Sequence, residues 1–156
     1  MSHALPILLW LRRDFRLSDH PALSAAVASG RPIVPVFIRD SEVDALGAAP
    51  KWRLGLGMSK YKKALANCGS RLIMRTGAPL ACLQSLIEET GATSVYWSRL
   101  YDPSSIARDQ EVKETLKSRG IEARSFGGHL LFEPWSVETK TGGFYRVYSP
   151  MWRAVK

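Results

Sequence analysis

Four charged residues crowd into five positions directly after an apolar run: Arg12, Arg13, Asp14 and Arg16 follow Ile7 to Leu11. The run is too short for a helix and reads as a strand buried on both faces. Ser18 or Asp19 is placed to cap the helix that follows, with Pro21 in its first turn and Leu23, Ala26 and Val27 on one face. Strand, charged turn and helix make half of a βαβ unit, and in open α/β sheets such turns are where ligands bind. This one has none of the glycines of a dinucleotide fingerprint, so pyrophosphate is not its ligand. Arg13 and Asp14 either brace the turn through local partners, the reading that charged turns favour, or face a ligand.

Other chemically able residues argue less. Gly55-Leu56-Gly57 is a faint image of a phosphate loop, but Lys60 stands where a third glycine belongs, and a loosely wound helix start explains it better. Cys68 and Cys82 fall within predicted helices as buried thiols. His3, His20 and His129 are scattered and offer no zinc constellation. The tryptophans (Trp10, Trp52, Trp97, Trp135 and Trp152) are too dispersed to argue an electron path, and burial is their default.

Behind these residues stands a regular alternation. Ile33 to Ile38 is a second strand, with Pro35 predicting a local irregularity. Arg39 to Pro50 reads as a loop. Leu54, Met58, Tyr61, Leu65 and Cys68 recur at helical steps, and Gly69 ends that helix. Leu72 to Met74 is a third strand. Pro79 opens a helix with Leu80, Leu83, Leu86 and Ile87 inward, closed by Gly91. Val95 to Trp97 is a fourth strand, and Ser104 to Arg119 a polar helix in which Asp109 and Lys113 are spaced for a surface pair. Glu122 to Phe126, only half apolar, is a fifth strand at an edge. The fold class is therefore α/β: a Rossmann-like, doubly wound, five-stranded parallel sheet with helices on both faces.

The chain's 156 residues suffice for one domain with a real core. No apolar run approaches the ~20 residues that span a membrane, and no signal-peptide pattern opens the chain, so the expected compartment is the cytoplasm. The net charge of +8 suits a nucleic-acid partner, but Lys and Arg are spread along the sequence, and a solvated surface explains most of it. The tail departs from the alternation. Leu130 to Trp135 leaves the sheet, Thr141-Gly142-Gly143 turns, Tyr145 to Tyr148 is extended, and Ser149-Pro150 starts a helix one turn before Lys156. So short a helix needs a packing partner, which predicts an N-terminal piece of a longer protein.

Three stretches together resemble the photolyase/cryptochrome family: Trp10 to Asp19 (WLRRDFRLSD), Tyr101-Asp102-Pro103 with Arg108-Asp109, and Gly143 to Trp152 (GFYRVYSPMW). The resemblance implies an antenna-type α/β domain over residues 1–128, and an extended linker opening a helical domain over 129–156. The remainder of that helical domain, outside this chain, would bind FAD and damaged DNA. It implies a deoxyribodipyrimidine photolyase that splits cyclobutane pyrimidine dimers with blue light, a monomer whose N-terminal domain holds a second, light-harvesting chromophore (flavin, deazaflavin or folate). This fragment alone would repair nothing. The alternatives are a cryptochrome-type photoreceptor and a free-standing nucleotide-binding α/β module.

The resemblance also implies site residues. Phe37 is similar to the family residue that packs on the antenna ring, with core packing as its other reading. Arg53 is similar to the arginine facing the chromophore, and its place at a helix start, poor for the macrodipole, favours that role. Arg13 and Tyr101 belong to the matching motifs. Asp102 either accepts a hydrogen bond from a chromophore or prepares the turn before Pro103. Deazaflavin-type sites carry an acid where Leu100 falls and folate-type sites one near Ser105, so both charged acceptors are lost here, leaving another flavin or no antenna.

Overall fold

The computed structural model describes residues 4–156; His3 lies outside them. Five parallel strands form one sheet: β1 (Ile7–Leu11), β2 (Ile33–Arg39), β3 (Ile73–Thr76), β4 (Ser94–Ser98) and β5 (Glu122–Phe126). Their order is β3-β2-β1-β4-β5, so the winding reverses beside β1 and β5 is an edge, as its mixed composition predicts. Every residue of β1 is buried, because β1 is flanked by strands on both sides and helices above and below.

Side-chain alternation divides the core. Leu8 and Trp10 join Val36, Ile38, Val95 and Trp97 beneath α4 (Pro79–Thr90) and α5 (Pro103–Ser118). Ile7, Leu9 and Leu11 join Phe37 and Tyr96 beneath α1 (Pro21–Ala28) and α3 (Ala48–Asn67). Gly91 closes α4 in the left-handed conformation that its position requires (φ 68°). No helix among the described residues is long and apolar enough to cross a membrane.

Several details differ from the sequence reading. Neither Ser18 nor Asp19 caps α1; the cap is His20, whose Nδ1 accepts from the Leu23 backbone N–H at 3.2 Å. Ala22 and Ala26 make the buried face of α1, while Val27 is exposed. Pro35 causes no break in register, since β3 pairs with β2 only from Val36 onward. The stretch from Arg39 to Pro50 is not all loop: it holds α2 (Ser41–Ala45) and the first turn of α3. Asp40 caps α2 through its side chain, a signal hidden by the brevity of that helix. Gly55 and Gly57 are helical, so no phosphate loop exists there. Cys68 is exposed at the end of α3 and Cys82 only half-buried. After the sheet, Pro134–Ser136 makes one tight turn and α6 (Tyr148–Val155) begins just ahead of Ser149-Pro150.

Candidate functional site

The charged turn after β1 is built into the sheet's carboxyl end. Asp14 accepts from the Arg12 backbone N–H at 2.9 Å, and its other oxygen lies 3.0 Å from His20 Nε2. Because His20 Nδ1 is the acceptor at the α1 cap, Nε2 carries the ring's proton and faces Asp14 Oδ2 at ion-pair distance, outside hydrogen-bond geometry. Burial acts to raise the Asp14 pKa. The close approach of His20 and Ser98 and the hydrogen bond from the Arg12 backbone overcome it and hold the carboxyl well below the usual carboxylate range.

Arg12 turns the other way. Its Nη1 binds both oxygens of Asp109, each at 2.7 Å, and Nη2 donates to the Ser98 carbonyl. Asp109 also accepts from Trp97 Nε1 at 3.1 Å. The surface pair expected between Asp109 and Lys113 is therefore replaced by a nearly buried ion pair with a strand terminus. The side chain of Arg12 thus bridges β1 and β4 and fills the crevice where the winding reverses. Arg108 extends the network to Asp40 (3.0 Å) and Glu42 (2.7 Å), tying α2 to α5, and both guanidiniums lie over Trp10.

With the central crevice sealed, open space lies to one side. Arg13, Phe15, Leu46, Pro50, Arg53, Leu54 and Gly57 line a cleft of about 530 Å³ between the β1 turn and the start of α3. Among the described residues, neither Arg13 nor Arg53 makes a hydrogen bond or ion pair through its side chain, and both are exposed. A smaller recess of about 20 Å³ adjoins it, sharing Arg13, Leu46 and Leu54, with Phe37 and Leu100 on its wall. Phe15 stands against both Phe37 and Tyr61, with ring centroids 5.6 and 5.8 Å away. Burial, aided by the Asp14 charge, pushes the Tyr61 phenol up to about 12. Gly57 borders the cleft beside Phe15, where a Cβ would meet Phe15 Cδ2 at an ordinary contact distance of 3.8 Å.

Of the five residues singled out from sequence, the structure gathers Arg13, Phe37 and Arg53 at this cleft and its recess. Arg53 stands in the second turn of α3 rather than at its start, so the macrodipole argument for it lapses. Tyr101 and Asp102 lie elsewhere. Tyr101 donates to Glu133 at 2.9 Å, beside an Arg99–Glu133 pair at 2.6 Å, and lines a separate cleft of about 310 Å³ with Trp97 and Trp135. Asp102 is the side-chain cap of α5, accepting from the Ser105 backbone N–H at 3.1 Å. Burial acts to raise its pKa, but hydrogen bonds from Ser105 and Ser104 together outweigh it and hold the carboxyl at about 2. Leu46 has no signal in the sequence, Phe15 lies inside the Trp10–Asp19 motif without a role assigned to it, and Gly57 enters only through the rejected phosphate loop.

A doubly wound parallel sheet whose switch point is bridged by an arginine, with a cleft displaced to the β1–α3 side, defines an α/β domain of the Rossmann-like class. The chain belongs to the DNA photolyase family, whose sequence profile matches residues 7–156. It is 44% identical to the deoxyribodipyrimidine photo-lyase of Agrobacterium fabrum over 97% of this chain and 32% of that protein. It is 34% identical to cryptochrome-1 of Arabidopsis thaliana over 93% of this chain and 22% of that protein. The crystal structure of a bacterial class III photolyase from Agrobacterium tumefaciens superposes with a TM-score of 0.93, at 44% identity, over 97% of this chain and 32% of that one. The chain thus spans about a third of the length of these photolyases.

Proposed function

We propose that this chain is the antenna-holding α/β domain of a deoxyribodipyrimidine photolyase. In the longer protein, residues 129–156 lead into a helical domain that binds FAD and damaged DNA, and the whole acts as a cytoplasmic monomer. The observation that carries this reading is the cleft in which Arg13 and Arg53 present two uncommitted guanidiniums beside Phe15. Its volume of about 530 Å³ falls within the ~300–1,000 Å³ range of small-molecule sites. The cations suit an anionic chromophore tail, and Phe15, Leu54 and Pro50 supply an apolar wall for a ring. Phe37 packs behind Phe15 and fixes its ring in place. Glu42 supplies an anion in the region where Leu100 and Ser105 carry none: it lines the recess with Leu100 and accepts from Ser105 Oγ at 3.0 Å.

A chromophore bound there would gather light for FAD, whose photochemistry splits the dimer. This chain's residues contribute binding, orientation and exclusion of water. The test is repair of cyclobutane dimers by the full-length protein under blue light. Light-dependent repair is expected. Flavin binding without repair would overturn the enzyme reading in favour of a photoreceptor, which the likeness to a cryptochrome keeps as the second reading.

A further inference from the structure

We propose that the outer face of α3 is a second DNA-binding surface, one that grips the phosphate backbone of undamaged DNA independently of any lesion. The inference comes from how the fold distributes charge. Cations and acids alternate along the sequence as a whole, but the two helical layers divide them unequally. Helices α1 and α3 themselves carry no acidic residue: α1 is uncharged, and α3 carries Lys51, Arg53, Lys60, Lys62 and Lys63. The opposite layer carries Glu88 and Glu89 on α4 and a balance of both signs on α5.

Lys60, Lys62 and Lys63 are exposed because one face of α3 alone turns to the sheet. Tyr61 and Leu65 are buried against the sheet. That places Trp52, Leu56 and Lys63, spaced at four and seven residues, along the opposite row, with Lys60 and Lys62 on either flank. Lys60, Lys62 and Lys63 form no ion pair among the described residues, and Lys51 reaches only the Asp44 backbone carbonyl at 2.6 Å. Trp52 is 68% exposed among these charges. From Trp52 to Lys63 along the outer row the helix advances ~16 Å, a length that a few phosphates of one strand would span. An exposed tryptophan among unpaired lysines is the combination that holds nucleic acid, with cations on the backbone and an aromatic face for a base or sugar. A membrane surface would require a broader apolar stripe than Trp52 and Leu56 provide.

The test uses this chain in the dark, with fluorescein-labelled undamaged DNA, single-stranded and duplex, followed by anisotropy across a salt series. Binding is expected to weaken with salt at a log–log slope of about −3. K60E/K63E should weaken it at least about tenfold, because two phosphates go unneutralised, and should leave the melting midpoint unchanged. K113E/K117E, an identical change in net charge on α5, should leave binding unaltered, and W52A should weaken single-stranded more than duplex binding. Equal losses of affinity from the two lysine pairs would reduce the effect to net charge and overturn the proposal. So would no binding at low salt, or binding to phosphatidylserine vesicles but not to DNA. Because no lesion, light or flavin enters the assay, its failure would leave the photolyase reading untouched.

Discussion

Arg12 holds the carboxylate of Asp109 from a point 97 residues earlier in the chain, with both Nη1–oxygen distances at 2.7 Å. The pair joins the end of β1 to the first half of α5 and fills the switch point that would otherwise be the fold's binding crevice. Its side chains are only 8% and 13% exposed, so neither charge has water to fall back on. Asp109→Ala leaves a buried guanidinium without its partner and is expected to cost about 3–5 kcal/mol. Urea unfolding of the variant measures this. A loss below about 1 kcal/mol, the range of surface pairs, would show that the bridge is ornamental.

Asp14 makes stability depend on acid. Its pKa is depressed in the folded protein, so its contribution is fully present above the unfolded value of ~3.9 and disappears as pH falls toward the folded one. Asp14→Asn should therefore lose about 3 kcal/mol at neutral pH and show a shallower fall between ~pH 4 and ~pH 2 than the parent. Melting midpoints across that range are the measurement. Parallel acid limbs in the two proteins would contradict the assignment.

Asp102 serves α5 as a cap, and its two readings separate by substitution. Asp102→Ala should lower stability by about 1 kcal/mol while Asp102→Asn, also a good cap, should lose only a few tenths. Titration of flavin, deazaflavin and folate should be unaffected by either change. A variant that is stable but has lost chromophore would return Asp102 to the binding site.

Gly55 lies inside α3 in open space, where an added Cβ meets nothing within 4 Å. Gly55→Ala is therefore expected to stabilise the protein by about 0.5–1 kcal/mol, through helix propensity alone. Thermal melting tests this, and a destabilised variant would mean that the helix start is not formed as described.

The sheet was legible because its signals are local. Ile7 to Leu11 is an uninterrupted apolar run, and Pro79 and Gly91 bracket α4 with the residues that start and stop helices. What escaped the sequence was decided by partners far away. Asp109 and Lys113 have the spacing of a surface pair, and nothing local reveals that Arg12 displaces Lys113 at the carboxylate. His20 is an unusual cap, chosen because its other nitrogen meets Asp14, whereas Ser18 and Asp19 have only propensity in their favour. The cleft was half legible. Arg13, Phe37 and Arg53 come from a motif resemblance, while Phe15 and Gly57 owe their place to the packing of α3 against the β1 turn.

The chromophore site proposed between Arg13 and Arg53 is tested most directly by titrating the protein with flavin, deazaflavin and folate. Fluorescence and absorbance follow the binding, and the titrations are repeated with Arg53→Ala and Gly57→Leu. Saturable 1:1 binding of one of the three is expected, weakened at least about tenfold by loss of the cation, equivalent to ~1.4 kcal/mol, and abolished by filling the cleft. Binding of none, or binding indifferent to both substitutions, would contradict it.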